Sequence, residues 1–165
     1  MEQLVGLITG LFTDTKATMY RAREEECRNA TLALAGAAIA LHALVLILFG
    51  VPMVAAVLLA AFAFLEIFVP SWLGGSFTGG TGSAMDLLQL CGLVYLPMAV
   101  INTVTGMMHL TIVASIFGWI LMYFLMLIGH NFNSFDDVKF AYVAGVFVSF
   151  VLIGVRFVAL KAVLG

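Results

Sequence analysis

The sequence is short of charge and of cysteine, and each shortage excludes something. Only 10% of its 165 residues are charged, where a soluble domain carries about a quarter. The formal net charge is −2, so there is no basic footprint for nucleic acid. The two cysteines, Cys27 and Cys91, have no paired spacing and lie in unlike surroundings, one charged and one apolar. They suggest neither a disulfide framework nor a zinc motif. The start, Met1-Glu2-Gln3, lacks the basic residues and apolar run of a cleaved signal peptide.

Apolar residues are what the chain has in excess: 64% of it is hydrophobic, with mean hydropathy +1.17. A small domain leaves much of its surface in water, so one core cannot hide this much, and lipid has to take it. The length fits one compact domain. A membrane span needs about 20 mostly apolar residues, and five stretches meet that need: Ala30 to Phe49, Val51 to Val69, Leu87 to Val104, Leu110 to Ile128 and Phe140 to Leu160. With their flanks the helices cover about 30–49, 51–69, 85–104, 109–128 and 138–160 within a domain 29–165. Helix is the form expected of each, because an open strand leaves backbone groups unpaired in lipid. The expected fold class is therefore all-α, a polytopic integral membrane bundle of five transmembrane helices.

The breaks between spans have mechanisms. Gly50-Val51-Pro52 ends one helix and starts the next, forcing an antiparallel hairpin. Residues 70–83 hold five glycines and read as a flexible connection. Ser83 lies three residues before Asp86, the spacing of a capping box, and Ser134 and Asp137 repeat it. Gly106 marks a turn, and Gly129 is placed as a helix C-terminal cap. Pro97, inside the third span, is expected to kink it.

Residues 1–28 differ. Leu4, Leu7, Ile8 and Leu11 recur at helical spacing, with Val5 and Phe12 widening the stripe. Lys16, Arg21, Arg23 and Arg28 follow, mixed with Glu24, Glu25 and Glu26. The pattern predicts an amphipathic helix on the membrane surface, then a charged segment leading into the first span; the plainer alternative is a partly ordered tail. Counting Lys and Arg near the span ends gives five on the N-terminal side and two on the other. That bias predicts a cytoplasmic N-terminus and an external or lumenal C-terminus.

Polar groups inside a bilayer are functional suspects. His42 sits near the middle of span one, and Tyr95, at similar depth in span three, is a candidate partner. A neutral, hydrogen-bonded imidazole is the plain reading; a proton-relay histidine is the sharp one. Glu66 and Arg156 lie six residues beyond the middles of their spans, toward opposite faces. They are separated by roughly 18 Å along the membrane normal, too far for a salt bridge. Arg156 is expected to snorkel outward, and Glu66 to reach the cytoplasmic headgroups or the next loop. Gln89 and Asn102, near the ends of span three, read as inter-helix polar contacts. Small residues recur every four positions at Ala33 and Ala37, at Ala114 and Gly118, and at Ala141, Gly145 and Ser149, a spacing that lets helices approach closely.

No enzyme signature stands out. The glycine-rich loop lacks the Gly-Lys-Ser/Thr of a phosphate-binding loop. His109 and His130 fall at opposite faces, so they share no metal. Neither catalytic, metal nor cofactor residues are assigned.

One stretch runs Gly80-Thr81-Gly82-Ser83 to Leu93-Val94-Tyr95-Leu96-Pro97, with Trp119-Ile120-Leu121-Met122-Tyr123-Phe124 and Leu127-Ile128-Gly129-His130 in the next span and Phe140-Ala141 opening the last. This organisation resembles the Yip-domain family of Ypt/Rab-interacting membrane proteins, most of all its short prokaryotic members, over roughly residues 30–162. The resemblance implies a five-span, non-enzymatic protein that assembles with other membrane proteins and, in eukaryotic members, with a prenylated small GTPase. The N-terminal segment is shorter than the family's soluble extension, which puts GTPase recruitment in doubt. Tyr95 and Pro97 match the family pattern in a structural role.

The leading expectation is a membrane scaffold or adaptor whose partners are the bilayer and other membrane proteins or a second copy of itself. The alternatives are a small transporter or channel built on the polar third span, where Gln89, Tyr95 and Asn102 recur at about two turns, and an accessory subunit of a larger membrane complex.

Overall fold

A computed structural model of the chain describes residues 2–77, 79–108, 120, 123–132, 151, 155, 158 and 162, the side chains of 77 and 101–108 excepted. The expected spans 109–128 and 138–160 therefore lie largely outside the described residues, as does Arg156. Among the described residues every regular element is helical. They are α1 (Glu2–Thr13), α2 (Thr15–Ala22), a 3-10 turn (Glu25–Cys27), α3 (Arg28–Leu48), α4 (Met53–Phe77) and α5 (Ala84–Met108), with a further helical stretch over 123–132. The fold is all-α. Glu25–Leu48 and Met53–Ser76 are long and apolar enough to cross a membrane, and Ala84–Val100 is a shorter apolar helix.

Local chemistry sets the helix ends. The side chain of Asp14 accepts from the Ala17 N–H at 3.2 Å and starts α2. At the end of α3, Gly50 adopts φ +83°, its N–H bonds the Ile47 carbonyl and the Val51 N–H bonds that of Leu46. This is the Schellman arrangement, which pairs the carbonyls the last turn leaves open. Only glycine takes that φ without strain. Ser83 and Asp86 form the reciprocal capping box: the Asp86 N–H donates to Ser83 Oγ and the Ser83 N–H to Asp86 Oδ2, both at 3.1 Å.

Four expectations change: helix continues through Gly106 to Met108 and through Gly129 to Phe132, so neither glycine ends its helix. Residues 70–77 are not a flexible connection; α4 continues through Pro70 to Phe77. Proline costs a helix one N–H donor, here the one that would bond the Glu66 carbonyl, yet the helix runs on past it, and Gly74 and Gly75 are buried. The amphipathic stripe of α1 is also covered differently. Leu7 and Leu11 are buried in the main core, with Leu4 and Ile8 packed beside them, so the stripe faces protein. Val5 and Phe12 stay outside.

The core is organised around α5. Leu87, Leu90, Cys91, Leu93, Val94, Tyr95, Met98 and Ala99 are all buried, so the helix is enclosed on nearly every side, as a helix without a polar face must be. The helix runs on through Pro97. Against it, α3 buries Thr31, Leu34, Ala35, Ala38 and His42, and α4 buries Ala55, Ala56, Ala60, Ala63 and Ile67. The close approach of α3 and α5 depends on Gly92: a Cβ there would stand 2.8 Å from the Ala35 Cβ and 3.0 Å from the Thr31 carbonyl oxygen. Outside, Leu41, Leu44, Leu48, Phe49, Met53, Val54, Val57, Trp72, Val151, Val155 and Val158 are exposed. So much large apolar surface is unusual in a water-soluble monomer.

Candidate functional site

Two polar clusters lie within this apolar body. The first joins three helices in the core. His42 Nδ1 lies 2.8 Å from the Tyr95 hydroxyl, and that hydroxyl lies 3.0 Å from the Ala60 carbonyl oxygen. A carbonyl only accepts, so the hydroxyl proton goes to Ala60 and the hydroxyl oxygen accepts from His42 Nδ1–H. This fixes the imidazole tautomer. The Tyr95 ring is held edge-on against Phe64, with centroids 5.6 Å apart, and tilted against the His42 ring at 6.2 Å. Tyr95 has no exposed surface, and His42 is 7% exposed. One hydroxyl thus latches α3, α4 and α5 together.

Glu66 stands near this latch. One of its carboxylate oxygens is shielded from solvent, and the carboxyl is within electrostatic reach of Tyr95.

The second cluster is a collar at the N-terminal end of the bundle. Arg23 pairs with Asp86 at 3.5 Å and its other terminal nitrogen donates to the Asn131 carbonyl. Gln89, 1% exposed, donates from Nε2 to the carbonyls of Ala22 at 2.8 Å and Glu24 at 3.3 Å. The Ala22 carbonyl ends α2, where helices leave acceptors open, and that of Glu24 lies just beyond it. Asp86 lies just before the apolar stretch that starts at Leu87. Partial burial would raise its pKa, but the Ser83 hydrogen bonds and the Arg23 guanidinium outweigh this and hold the carboxyl below the ordinary aspartate value. The ring of Phe132 sits between Gly75 and Gly82, where any side chain would collide with it, and the Gly82 N–H bonds the Phe132 carbonyl at 2.9 Å. The glycine-rich segment is thus a seat for the end of the 123–132 helix.

Of the residues singled out in the sequence, the structure brings His42 and Tyr95 into contact, sets Glu66 near them and assigns Gln89 to the collar. Pro97 lies within α5 and is buried. Asn102 is in α5, with its side chain outside the described part. Sequence reasoning did not single out Arg23, Phe132, Asn131 or Gly92. Among the described residues no group of three His, Cys, Asp or Glu side chains is placed to hold a metal ion, and Cys27 and Cys91 are free and buried. No protein-family model matches the chain, and neither a curated protein nor a solved structure matches it.

Proposed function

We propose that the chain is a five-span integral membrane protein of the Yip-domain kind, acting as a non-enzymatic scaffold that packs against partner membrane helices. The observation that carries this reading is the outer face of α3. Ala33, Gly36, Ala37 and Ala40 are all exposed there, and a side chain at Gly36 would meet nothing within 4 Å. Two small-xxx-small pairs, Ala33 with Ala37 and Gly36 with Ala40, thus face outward. In lipid such surfaces let two backbones approach and gain packing that long side chains prevent. α3, with 21 residues, is long enough to cross a hydrocarbon core of about 30 Å. The core polar groups fit the same reading, because the Tyr95 hydroxyl has its donor and its acceptor both engaged within the bundle. The collar ties the N-terminal segment to one end of the bundle, and the Lys and Arg bias supports a cytoplasmic position for that end.

Cross-linking in native membranes tests the reading. With Ala37→Cys in a background lacking Cys27 and Cys91, a discrete cross-linked species is expected, formed with a second copy or one membrane partner. Gly36→Leu together with Ala40→Leu removes it. A chain that stays monomeric and captures no partner in mild detergent contradicts the scaffold.

A second reading, a small transporter or channel, draws on the same His42, Tyr95 and Glu66 cluster. Solute flux through proteoliposomes that is lost in His42→Phe would favour it over the scaffold; flux at background excludes it.

A further inference from the structure

The α3–α4 hairpin ends in a tip without a polar side chain. Residues 29–65 hold no Asp, Glu, Lys, Arg, Trp or Tyr. From Leu44 to Val54 no side chain is buried, and Leu48, Phe49, Met53 and Val54 are each more than half exposed. Leu44 to Leu48 make more than one full turn, so the end of α3 has no buried side. The backbone of the turn is largely paired within itself. The N–H groups of Phe49, Gly50 and Val51 all bond carbonyls of α3, and Pro52 has none to bond. The other end of the hairpin differs. Tyr, Trp, Lys and Arg hold helices at membrane interfaces, and here they gather at the collar. Tyr20, Arg21 and Arg28 flank Arg23, and Trp72 lies one turn before Gly75, which seats Phe132.

We propose that the hairpin tip is embedded among the acyl chains of the leaflet opposite the collar and does not emerge into water. Three features select acyl chains as its cover. A partner protein covers one side of a helix, whereas the end of α3 is open all round. Water would meet a continuous apolar surface there, the arrangement that the hydrophobic effect opposes. Length agrees as well. From Arg28 to Leu48, α3 rises about 30 Å, which a typical tilt of about 20° shortens to about 28 Å, within a hydrocarbon core of about 30 Å. The hairpin thus offers a soluble partner nothing on the far side, and its polar surface lies at the collar alone. The proposal rests on the membrane reading above. It leaves the number of spans untouched, because α4 returns to the side from which α3 starts whether or not the tip emerges.

Phe49→Cys in the full chain tests it. Cys27 and Cys91 are buried, so wild type supplies the labelling blank, and Ala17→Cys on α2 supplies a thiol at the collar end. Both positions are exposed, so neither change threatens the fold. Each protein is reconstituted in phosphatidylcholine vesicles with an impermeant maleimide on both faces. The reactive species is the thiolate, which hydrocarbon excludes, so Phe49→Cys should react at least about tenfold more slowly than Ala17→Cys. The two should label equally once unfolded in dodecyl sulfate. A bimane attached at Phe49→Cys before reconstitution should be quenched by brominated acyl chains and not by aqueous iodide. Labelling at the Ala17→Cys rate, or quenching by iodide, puts the tip in water and overturns the proposal. Slow labelling with quenching by neither agent puts protein over the tip and overturns it too. If alkaline carbonate strips the wild-type chain from the vesicles, the membrane reading itself fails; a chain that stays in the membrane with a readily labelled tip refutes only the embedded tip.

Discussion

Removing the Tyr95 hydroxyl tests whether one side chain latches three helices. Tyr95→Phe keeps the ring against Phe64 but deletes the 2.8 Å contact with His42 and the 3.0 Å contact with the Ala60 carbonyl. Inter-helix hydrogen bonds in membrane proteins contribute about 0.6 kcal/mol on average and about 1.7 at most. Two of them put the expected loss at about 1–3 kcal/mol. His42→Leu deletes the shared bond and leaves the Tyr95 bond to Ala60 in place. In the double variant that bond is counted once, so a coupling energy of about 0.6–1.7 kcal/mol is expected between the two sites. The assay is reversible unfolding in mixed micelles with increasing dodecyl sulfate, followed by tryptophan emission. Additivity within about 0.3 kcal/mol would mean that the two side chains do not interact, and the latch would be refuted. A Tyr95→Phe variant as stable as wild type would refute the bond to Ala60 as well.

Gly92→Val should lower stability by about 1–3 kcal/mol through overpacking, because Ala35 and the Thr31 carbonyl already occupy the space; unfolding in the same micelles reads it. Phe132→Ala should cost about 3 kcal/mol or more, since the ring is 5% exposed between two glycines; a fall in thermal midpoint checks it. The collar should loosen in acid. The folded Asp86 carboxyl sits below its ordinary value, so its contribution is complete above that value and is lost as pH falls through the lower, folded one. A nitroxide at Tyr20→Cys should therefore stay immobile at neutral pH and gain mobility only in strong acid, while Asp86→Asn is mobile throughout.

Local signals were legible in the sequence because they act over a few residues. Gly50-Val51-Pro52 announced the end of α3, and Ser83 with Asp86 announced the start of α5. Shared depth in two apolar stretches was enough to suggest His42 and Tyr95 as partners. Contacts distant in sequence were not legible. Gly75 and Gly82 have the composition of a linker, and nothing near them shows that Phe132 needs the space. Residues 70–77, with a proline and two glycines, have the composition of a connection, and only the packing of Gly74 and Gly75 shows that they continue α4. Arg23 is one of several basic residues among acids, and only the fold selects it for Asp86 and Asn131. The α1 stripe was correct in periodicity, but periodicity cannot say whether protein or lipid covers it. α5, expected as a third span, looked exceptional for its polar residues; they are exceptional because it is the helix the others enclose.

The central claim is a membrane bundle with an odd number of spans and a cytoplasmic N-terminus. Tagging each terminus separately and labelling intact cells with an impermeant reagent tests it most directly. The account predicts a C-terminal tag labelled from outside and an N-terminal tag labelled only after permeabilisation. Both tags on the same side would contradict five spans, and a chain released from membranes by alkaline carbonate would contradict the membrane bundle itself.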